Sequence, residues 1–206
     1  EAADAFRQAL VVEPAYARAG ANLLLAQHAV PGMTPQTSRA AHKAWAARHA
    51  DPLTDKAPPL PQPTPRKGRA LQVAMVSADF RQHPVGFFLL GMLPHIDPGR
   101  IRITLYQTVA RHDWLSDALA DTPAVTLERV GTLSDIALTE HIRTARPDVA
   151  IDLSGHTGGG RLEVFAHRVA PIQATWAAYV GTTGLKAMDV LIADRFHVPP
   201  GDEPHH

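Results

Sequence analysis

The stretch Leu71-Gln-Val-Ala-Met-Val-Ser77 is an apolar run of strand length, and it leads directly into the polar loop Ala78-Asp-Phe-Arg-Gln-His-Pro-Val-Gly86. Four later runs share its length and apolar character: Ile101 to Tyr106, Asp148 to Leu153, Ile172 to Trp176 and Val190 to Ala193. Helix-like stretches separate them, near Phe87 to Leu93, Trp114 to Ala120 and Ser134 to Ala145. Strands that alternate with helices predict an α/β fold whose parallel sheet is covered on both faces.

The residues that follow each strand are the candidates for function, because ligands bind at the carboxyl ends of strands in such sheets. The first of these loops places Asp79 and His83 four residues apart, and a helix is expected to begin near Pro84. Histidine exchanges a proton near neutral pH, and a carboxylate can fix its tautomer. The pair therefore indicates a catalytic dyad or, as is more common for such pairs, a turn or helix cap.

Two further loops have a glycine-rich, polar character. One is Ser154-Gly-His156-Thr157-Gly-Gly-Gly160-Arg161, and the other is Tyr179-Val-Gly181-Thr182-Thr183-Gly184. Glycine lets backbone amides approach an anion or a sugar, and hydroxyl and guanidinium groups add donors. A glycine cluster alone is more often a flexible turn, but three polar loops at successive strand ends favour a binding site.

The first fifty residues are rich in alanine, and their apolar residues return every three or four positions. This period predicts three helices, over about Glu1 to Val12, Ala15 to Ala29, and Thr34 to His49, with Thr34 as a candidate N-cap. The pattern Ala2-x3-Phe6-x2-Ala9-Leu10-x3-Pro14 has the spacing of the second helix of a tetratricopeptide repeat; an ordinary alanine-rich amphipathic helix is the alternative. Since a lone half-repeat cannot bury its inner face, we expect the chain to start inside a repeat array.

A proline-rich stretch follows these helices. Its prolines are Pro52, Pro58, Pro59, Pro61, Pro63 and Pro65. Proline fixes φ and removes a backbone donor, so we expect a linker without helix or strand over residues 51–69. It would join the helices of residues 1–50 to the α/β region of residues 70–206. We expect this linker to lie as an ordered strap along the α/β region, with Leu53 and Leu60 as apolar anchors.

The composition narrows the class of protein. Twenty basic residues balance twenty acidic ones, which argues against nucleic acid or an anionic membrane as partner. There is no cysteine and no apolar run of the roughly 18 residues that span a bilayer, so we expect a cytoplasmic protein. The twelve histidines include no His-Glu-x-x-His helix, and we expect no metal site.

Three motifs in fixed order carry a resemblance to a known family. They are Asp79-Phe-x2-His83-Pro84, then Asp152-Leu-Ser-Gly-His-Thr157-x3-Arg161-Leu-x2-Phe165-Ala166-x-Arg168, then Ala170-Pro-Ile-Gln173-x2-Trp176-x2-Tyr179-x-Gly-Thr-Thr-Gly184. Together they resemble the O-linked N-acetylglucosamine transferase family, which includes the plant SPINDLY-type proteins. The resemblance covers nearly the whole chain, since that family also joins tetratricopeptide repeats to its catalytic region through a helical and linker segment.

This resemblance implies the Rossmann-like amino-terminal lobe of a GT-B glycosyltransferase, preceded by the end of a tetratricopeptide-repeat array, with the second lobe absent from this chain. It implies an inverting transfer of a sugar from UDP-N-acetylglucosamine to Ser or Thr hydroxyls of proteins bound through the repeats, without cofactor or metal. His83 and Asp79 match the catalytic motif, whose histidine acts as general base or positions the donor. Substrate-binding segments are matched by Pro84, His156, Thr157, Arg161, Tyr179, Gly181, Thr182 and Thr183. Because most nucleotide contacts lie on the second lobe, we expect the chain alone to be inactive.

One loop departs from the family pattern. The usual Trp-Leu-Gly-Tyr-Pro-Gly-Thr is Trp176-Ala-Ala178-Tyr-Val180-Gly-Thr182 here. Ala178 puts a methyl group where a family glycine approaches the sugar, and Val180 lacks the fixed φ of proline. Two alternatives stay open: a protein O-fucosyltransferase that uses GDP-fucose, and a protein-binding repeat scaffold whose lobe is not catalytic.

Overall fold

The computed structural model describes residues 1–61, 65 and 68–206. The helices are α1 (Ala2–Val12), α2 (Ala17–Gln27), α3 (Pro35–His49), α4 (Asp51–Lys56), α5 (Pro84–Met92), α6 (Trp114–Ala120), α7 (Asp135–Ala145) and α8 (Leu162–Ala166). The strands are β1 (Leu71–Ser77), β2 (Ile101–Gln107), β3 (Val125–Arg129), β4 (Val149–Asp152), β5 (Ile172–Trp176) and β6 (Val190–Ile192). Single 3₁₀ turns cover Leu93–His95 and Glu203–His205.

The six strands form one parallel sheet in the order β3-β2-β1-β4-β5-β6. At its centre Val73 of β1 pairs with Ile103 of β2 on one side and with Val149 of β4 on the other. The strand order reverses between β1 and β4. This is the doubly wound arrangement in which ligands bind at the carboxyl ends on either side of the reversal. The predicted α/β, Rossmann-like fold is confirmed.

Helices cover both faces of the sheet, because the buried side chains of β1 point alternately to one face and to the other. Val73 and Met75 point into a core shared with α5 and α6, whereas Ala74 and Val76 point into a core shared with α7 and α8. Successive side chains of a strand point to opposite faces, so a run that is buried throughout needs helices on both sides. The continuous apolar character of Leu71–Ser77 thus has its physical reason in this double cover.

The helices before residue 50 are part of the second of these cores. Leu24 of α2, together with Trp45 and Ala46 of α3, packs in one cluster with residues of α7 and α8. The Trp45 indole donates to the Ala17 carbonyl over 3.0 Å, which ties α3 to the start of α2. We call α2 and α3 the helical segment; it shares its core with the α/β region.

The predicted helices and strands agree closely with those observed, but β3, α4 and α8 were not predicted. Thr34 is the N-cap of α3, and its side chain accepts from the Thr37 amide over 3.2 Å. Strand β3 was not predicted, because this edge strand has no fully buried residue and therefore little apolar signal. Helix α8 was not predicted either, because five residues are too few to show a helical period.

The expectation that no helix occupies residues 51–69 is wrong for the first six of them. They form α4, in which Pro52 lies in the first turn, where its missing amide has no intrahelical partner to lose. Leu53 packs against the core as predicted, and the Arg143 guanidinium donates to the Pro58 carbonyl. The predicted strap is thus present as far as residue 58. Part of it, residues 62–64, 66 and 67, lies outside the described residues.

Candidate active site

The three loops singled out in the sequence meet at the carboxyl edge of the sheet. The Ser77 and Ser154 hydroxyls lie 3.0 Å apart, which joins the loop after β1 to the loop after β4. His156 Nε2 donates to the Thr183 carbonyl over 2.9 Å, which joins the loop after β4 to the loop after β5. Buried hydrogen bonds therefore link all three predicted loops at the edge where strand order reverses.

In the loop after β1, Asp79 is buried and His83 is about one-third exposed. Asp79 takes part in two hydrogen bonds: its carboxylate accepts from Arg81 over 3.0 Å, and its amide donates to the Ser77 hydroxyl over 3.0 Å. His83 Nδ1 lies 3.8 Å from Asp79 Oδ2. This separation exceeds hydrogen-bonding distance, so the two predicted catalytic residues are neighbours without a direct bond.

His83 also occupies the N-cap position of α5, and Pro84 is the first residue of that helix. The Val85 amide donates to His83 Nδ1 over 3.3 Å. A neutral imidazole that accepts through Nδ1 carries its proton on Nε2. The helix-cap role considered for His83 is thus observed, and it leaves Nε2 as a hydrogen-bond donor at the carboxyl edge of the sheet.

Asp152 at the end of β4 shapes the glycine-rich loop. Its carboxylate is buried and accepts from the Ser154 and Gly155 amides and from the Thr175 hydroxyl at distances between 2.8 and 3.1 Å. Burial raises the pKa of this carboxyl, and the hydrogen bonds oppose that rise. Asp152 thereby fixes the turn that brings His156 inward.

His156 is almost completely buried, and its ring lies edge-on against Trp45 with centroids 4.6 Å apart. Burial lowers its pKa to about 3, so the ring is neutral. Because Nε2 donates to the Thr183 carbonyl, Nδ1 is an unprotonated acceptor. Among the described residues this Nδ1 has no hydrogen-bond partner. A buried acceptor of this kind calls for a donor from water or from a ligand.

Thr157 and Arg161 are both committed to contacts within the protein. The Thr157 hydroxyl donates to the Ser154 carbonyl over 2.6 Å. The Arg161 guanidinium donates to the Asp135 carboxylate and to the Leu133 carbonyl, each over 2.5 Å. The role of Arg161 as a substrate ligand stays a prediction, since in this state its donors hold the start of α7.

The loop after β5 places its predicted residues in three different environments. Tyr179 and Thr183 are buried, whereas Gly181 faces His28, the residue after α2, so closely that a Cβ would lie 2.9 Å from that ring. The Thr182 hydroxyl accepts from the Gly184 amide over 3.1 Å. The predicted residues of this loop therefore make contacts that fix its own conformation, and only part of the loop faces solvent.

The two residues that depart from the family pattern in this loop also differ from each other in environment. Val180 is largely exposed. The Ala178 side chain packs partly against the apolar core beneath α5 and α6.

A cleft of about 480 Å³ opens between α2 and the glycine-rich loop. Its lining includes Arg18 and Asn22 of α2, Trp45 of α3, Thr108 after β2, and His156 through Glu163. Burial and the nearby charge of Asp135 raise the pKa of Glu163. Among the described residues that line this cleft, neither Asp79 nor His83 occurs, so the catalytic motif and the cleft are separate parts of the edge.

Sequence reasoning missed several groups at this edge. Arg18, Asn22 and Trp45 reach it from helices that lie more than a hundred residues earlier in the chain, and no local pattern marks them. Thr108 could have been found, because it directly follows β2 at the carboxyl edge; its hydroxyl donates to the Gly159 carbonyl over 2.8 Å.

The sequence predicts neither a metal site nor a membrane-spanning segment, and the described part of the chain can be searched for both. Within it, no three His, Cys, Asp or Glu side chains gather in a way that could hold a metal ion. None of its helices has the length and apolar character needed to cross a bilayer. A site without metal or cofactor stays a prediction.

Comparison with known proteins identifies the family. The model of glycosyl transferase family 41 matches residues 19–202, which is most of the chain. The chain belongs to glycosyl transferase family 41. The family resemblance drawn from the three motifs is confirmed, and so is the glycosyltransferase character of the fold.

Plant proteins are among the relatives of this chain. A protein of Solanum lycopersicum named as a probable UDP-N-acetylglucosamine–peptide N-acetylglucosaminyltransferase SPINDLY is 29% identical over 96% of this chain and 21% of its own length. An Arabidopsis thaliana protein with the same description and the name SEC is 28% identical over 68% of this chain and 15% of its own length. The chain thus spans about a fifth of the length of the first of these relatives.

A solved structure has the same architecture as this chain. It is the K341M mutant of the Thermobaculum terrenum O-GlcNAc transferase, with a TM-score of 0.90 and 35% identity. The similarity covers 98% of the present chain and 38% of that chain. Both the α/β region and the helices before it therefore have counterparts in that solved structure.

Proposed function

We propose that this chain supplies the amino-terminal lobe of a protein that transfers N-acetylglucosamine from UDP-N-acetylglucosamine to Ser or Thr hydroxyls of other proteins. The observation that carries the proposal is the convergence of all three motif loops where strand order reverses, in a chain that belongs to family 41. The reaction is an inverting displacement, in which the acceptor hydroxyl attacks the sugar and a nucleoside diphosphate leaves.

His83 acts in this reaction mainly by holding the donor. Its Nδ1 is occupied by the Val85 amide, so its Nε2 proton is available for an oxygen of the nucleotide sugar. In the tautomer needed for a general base, the proton would sit on Nδ1 and face Asp79 Oδ2, which lies 3.8 Å away. The cap geometry favours the donor-positioning role over the proton-accepting one.

The remaining parts of the proposal concern the surroundings of the reaction. The helices α1 and α2 form the end of a tetratricopeptide-repeat array that binds protein substrates, and the second lobe of a GT-B enzyme closes the site and contacts most of the nucleotide. The enzyme acts in the cytoplasm, in keeping with a sequence without cysteine. Neither a metal ion nor a cofactor takes part.

The test is a transfer assay on the full-length protein with UDP-N-acetylglucosamine and, in parallel, GDP-fucose, followed by mass spectrometry of the modified proteins. We expect a mass increase of one N-acetylhexosamine on Ser or Thr residues. Fucose transfer in its place would assign the other donor. No transfer from either donor would contradict the proposal and favour the scaffold alternative. The 206-residue chain alone should be inactive in the same assay.

A further inference from the structure

The Tyr179 hydroxyl lies between two histidines, one in α3 and one directly after α2. Both are more than a hundred residues away from Tyr179 in sequence. The hydroxyl is 2.6 Å from His42 Nε2 of α3 and 3.1 Å from Nε2 of His28, the residue that follows α2. Tyr179 and His42 are buried, and the three rings are in mutual contact, with centroids 5.4 to 5.7 Å apart. These groups form a polar contact between the helical segment and the loop after β5.

The direction of each hydrogen bond in this contact is fixed by its chemistry. His42 Nδ1 is 2.7 Å from the Ser38 carbonyl, which can only accept, so the proton is on Nδ1. His42 Nε2 must then accept, and the Tyr179 hydroxyl donates to it. The phenol oxygen in turn accepts from His28 Nε2. Each imidazole and the phenol thus has one defined role, and the chain of bonds ends on a backbone carbonyl.

The backbone packs as closely as these side chains. Gly184 has φ of +77°, and a Cβ built there would lie 2.5 Å from the His42 carbonyl oxygen. Gly155 has φ of +53°, and a Cβ there would lie 2.5 Å from the Tyr179 Cβ. The loop after β5 is therefore clamped between α3 and the glycine-rich loop, with no room for a side chain at either contact.

We propose that His42 is a positioning residue for residues 177–184, acting through the Tyr179 hydroxyl, so that the helical segment sets the shape of the sugar-binding edge. Substrate is touched by the loop and not by His42. The inference rests on the proposed function for its effect on transfer, and on the structure alone for its effect on the loop. It gives the helices before the catalytic lobe a part in the reaction beyond the recruitment of substrates.

The first arm of the test needs no activity. Amide hydrogen exchange of residues 177–184 is measured in the full-length protein for the wild type, Tyr179→Phe, His42→Phe and the control Tyr106→Phe. Tyr106 is a buried tyrosine of β2, away from this contact, so its variant removes a phenol hydroxyl without touching the clamp. We expect exchange in this loop to rise about tenfold or more in the first two variants and to stay at the wild-type rate in Tyr106→Phe. An unchanged rate in all variants, or an equal rise in the control, would overturn the proposal.

The second arm measures sugar transfer by the same proteins. We expect kcat to fall about tenfold or more in Tyr179→Phe and His42→Phe, because a displaced loop misplaces the donor. The double variant should be no slower than either single variant, since each breaks the same bond. His42→Gln should keep most of the transfer rate, because the amide oxygen of glutamine can accept the same hydrogen bond from the Tyr179 hydroxyl.

The two arms separate failure of this inference from failure of the proposed function. Loop exchange that rises while transfer stays normal would show that the clamp is structural only, which overturns the positioning role. Absence of transfer in the wild type would refute the proposed function, and the positioning role would fall with it. The exchange arm would then still decide whether His42 holds the loop.

Discussion

The loops after β1 and β5 both belong to the candidate active site, but His83 of the first and Tyr179 of the second are held in opposite ways. The loop after β1 has bonds to the Ser154 hydroxyl and to Ser116 of α6, but His83 itself bonds to the nearby Val85 amide and keeps about one-third of its side chain exposed. Tyr179 is buried, and its hydroxyl bonds to His42 of α3. His83 can therefore be replaced at little cost to folding, whereas a change in the loop after β5 disturbs the junction with the helices.

The largest expected effect is a loss of stability at that junction. Gly184→Ala would require a left-handed φ of an alanine and would press its Cβ against the His42 carbonyl. We expect the free energy of unfolding to fall by about 3 kcal/mol or more. Gly158→Ala is the matched control, since a Cβ at Gly158 meets nothing within 4 Å; it should change stability by less than about 0.5 kcal/mol. Denaturant titration measures both free energies of unfolding, and equal values would contradict the tight contact between Gly184 and α3.

The buried histidines predict a loss of stability in mild acid. Burial lowers the pKa of His42 from 6.5 to about 4, so the unfolded chain binds a proton at a higher pH than the folded one. The stability from neutral His42 is present above pH 6.5 and is lost as the pH falls towards 4, by about 3 kcal/mol in all.

A variant that cannot titrate isolates this contribution. Between pH 6 and 5, unfolding of His42→Phe should depend on pH less steeply than unfolding of the wild type, by about 1.2 kcal/mol per pH unit. The free energy of unfolding of both proteins at half-unit steps of pH provides the measurement. Parallel curves would mean that His42 titrates normally.

A smaller effect is expected at Asp79. Because its carboxylate bonds to Arg81 and not to His83, Asp79→Asn should slow transfer by less than about tenfold. The transfer rate of His83→Ala serves as the reference for complete loss of the His83 side chain. If Asp79→Asn is as slow as His83→Ala, the two act as a dyad and His83 is the general base.

The sequence was sufficient to predict five of the six strands and the loops that meet at their carboxyl ends, because both follow from local patterns. The buried run at β1 and the polar residues after it have a period and a position that can be read from the chain alone. The helix-cap alternative for His83 could be stated in advance for the same reason, since Pro84 marks the start of a helix.

The contact around Tyr179 could not be predicted. His42 and Tyr179 are 137 residues apart, and their bond depends on how α3 docks on the sheet. The ion pair between Arg161 and Asp135 could not be predicted either, since an arginine that follows glycines is equally typical of a site that binds an anion. Bonds between distant side chains are set by tertiary packing, which leaves no local mark.

The most direct test of the account is His83→Ala in the full-length protein, with stability and transfer measured on the same preparation. Ser134→Ala is the matched control, because Ser134 is also an N-cap, and its side chain accepts from the Ala137 amide over 3.2 Å. Each variant should lose about 1 kcal/mol of unfolding free energy. Transfer should fall roughly 100-fold in His83→Ala and stay at the wild-type rate in Ser134→Ala. Transfer by His83→Ala at a near wild-type rate would show that His83 only caps α5 and would contradict its role in the reaction.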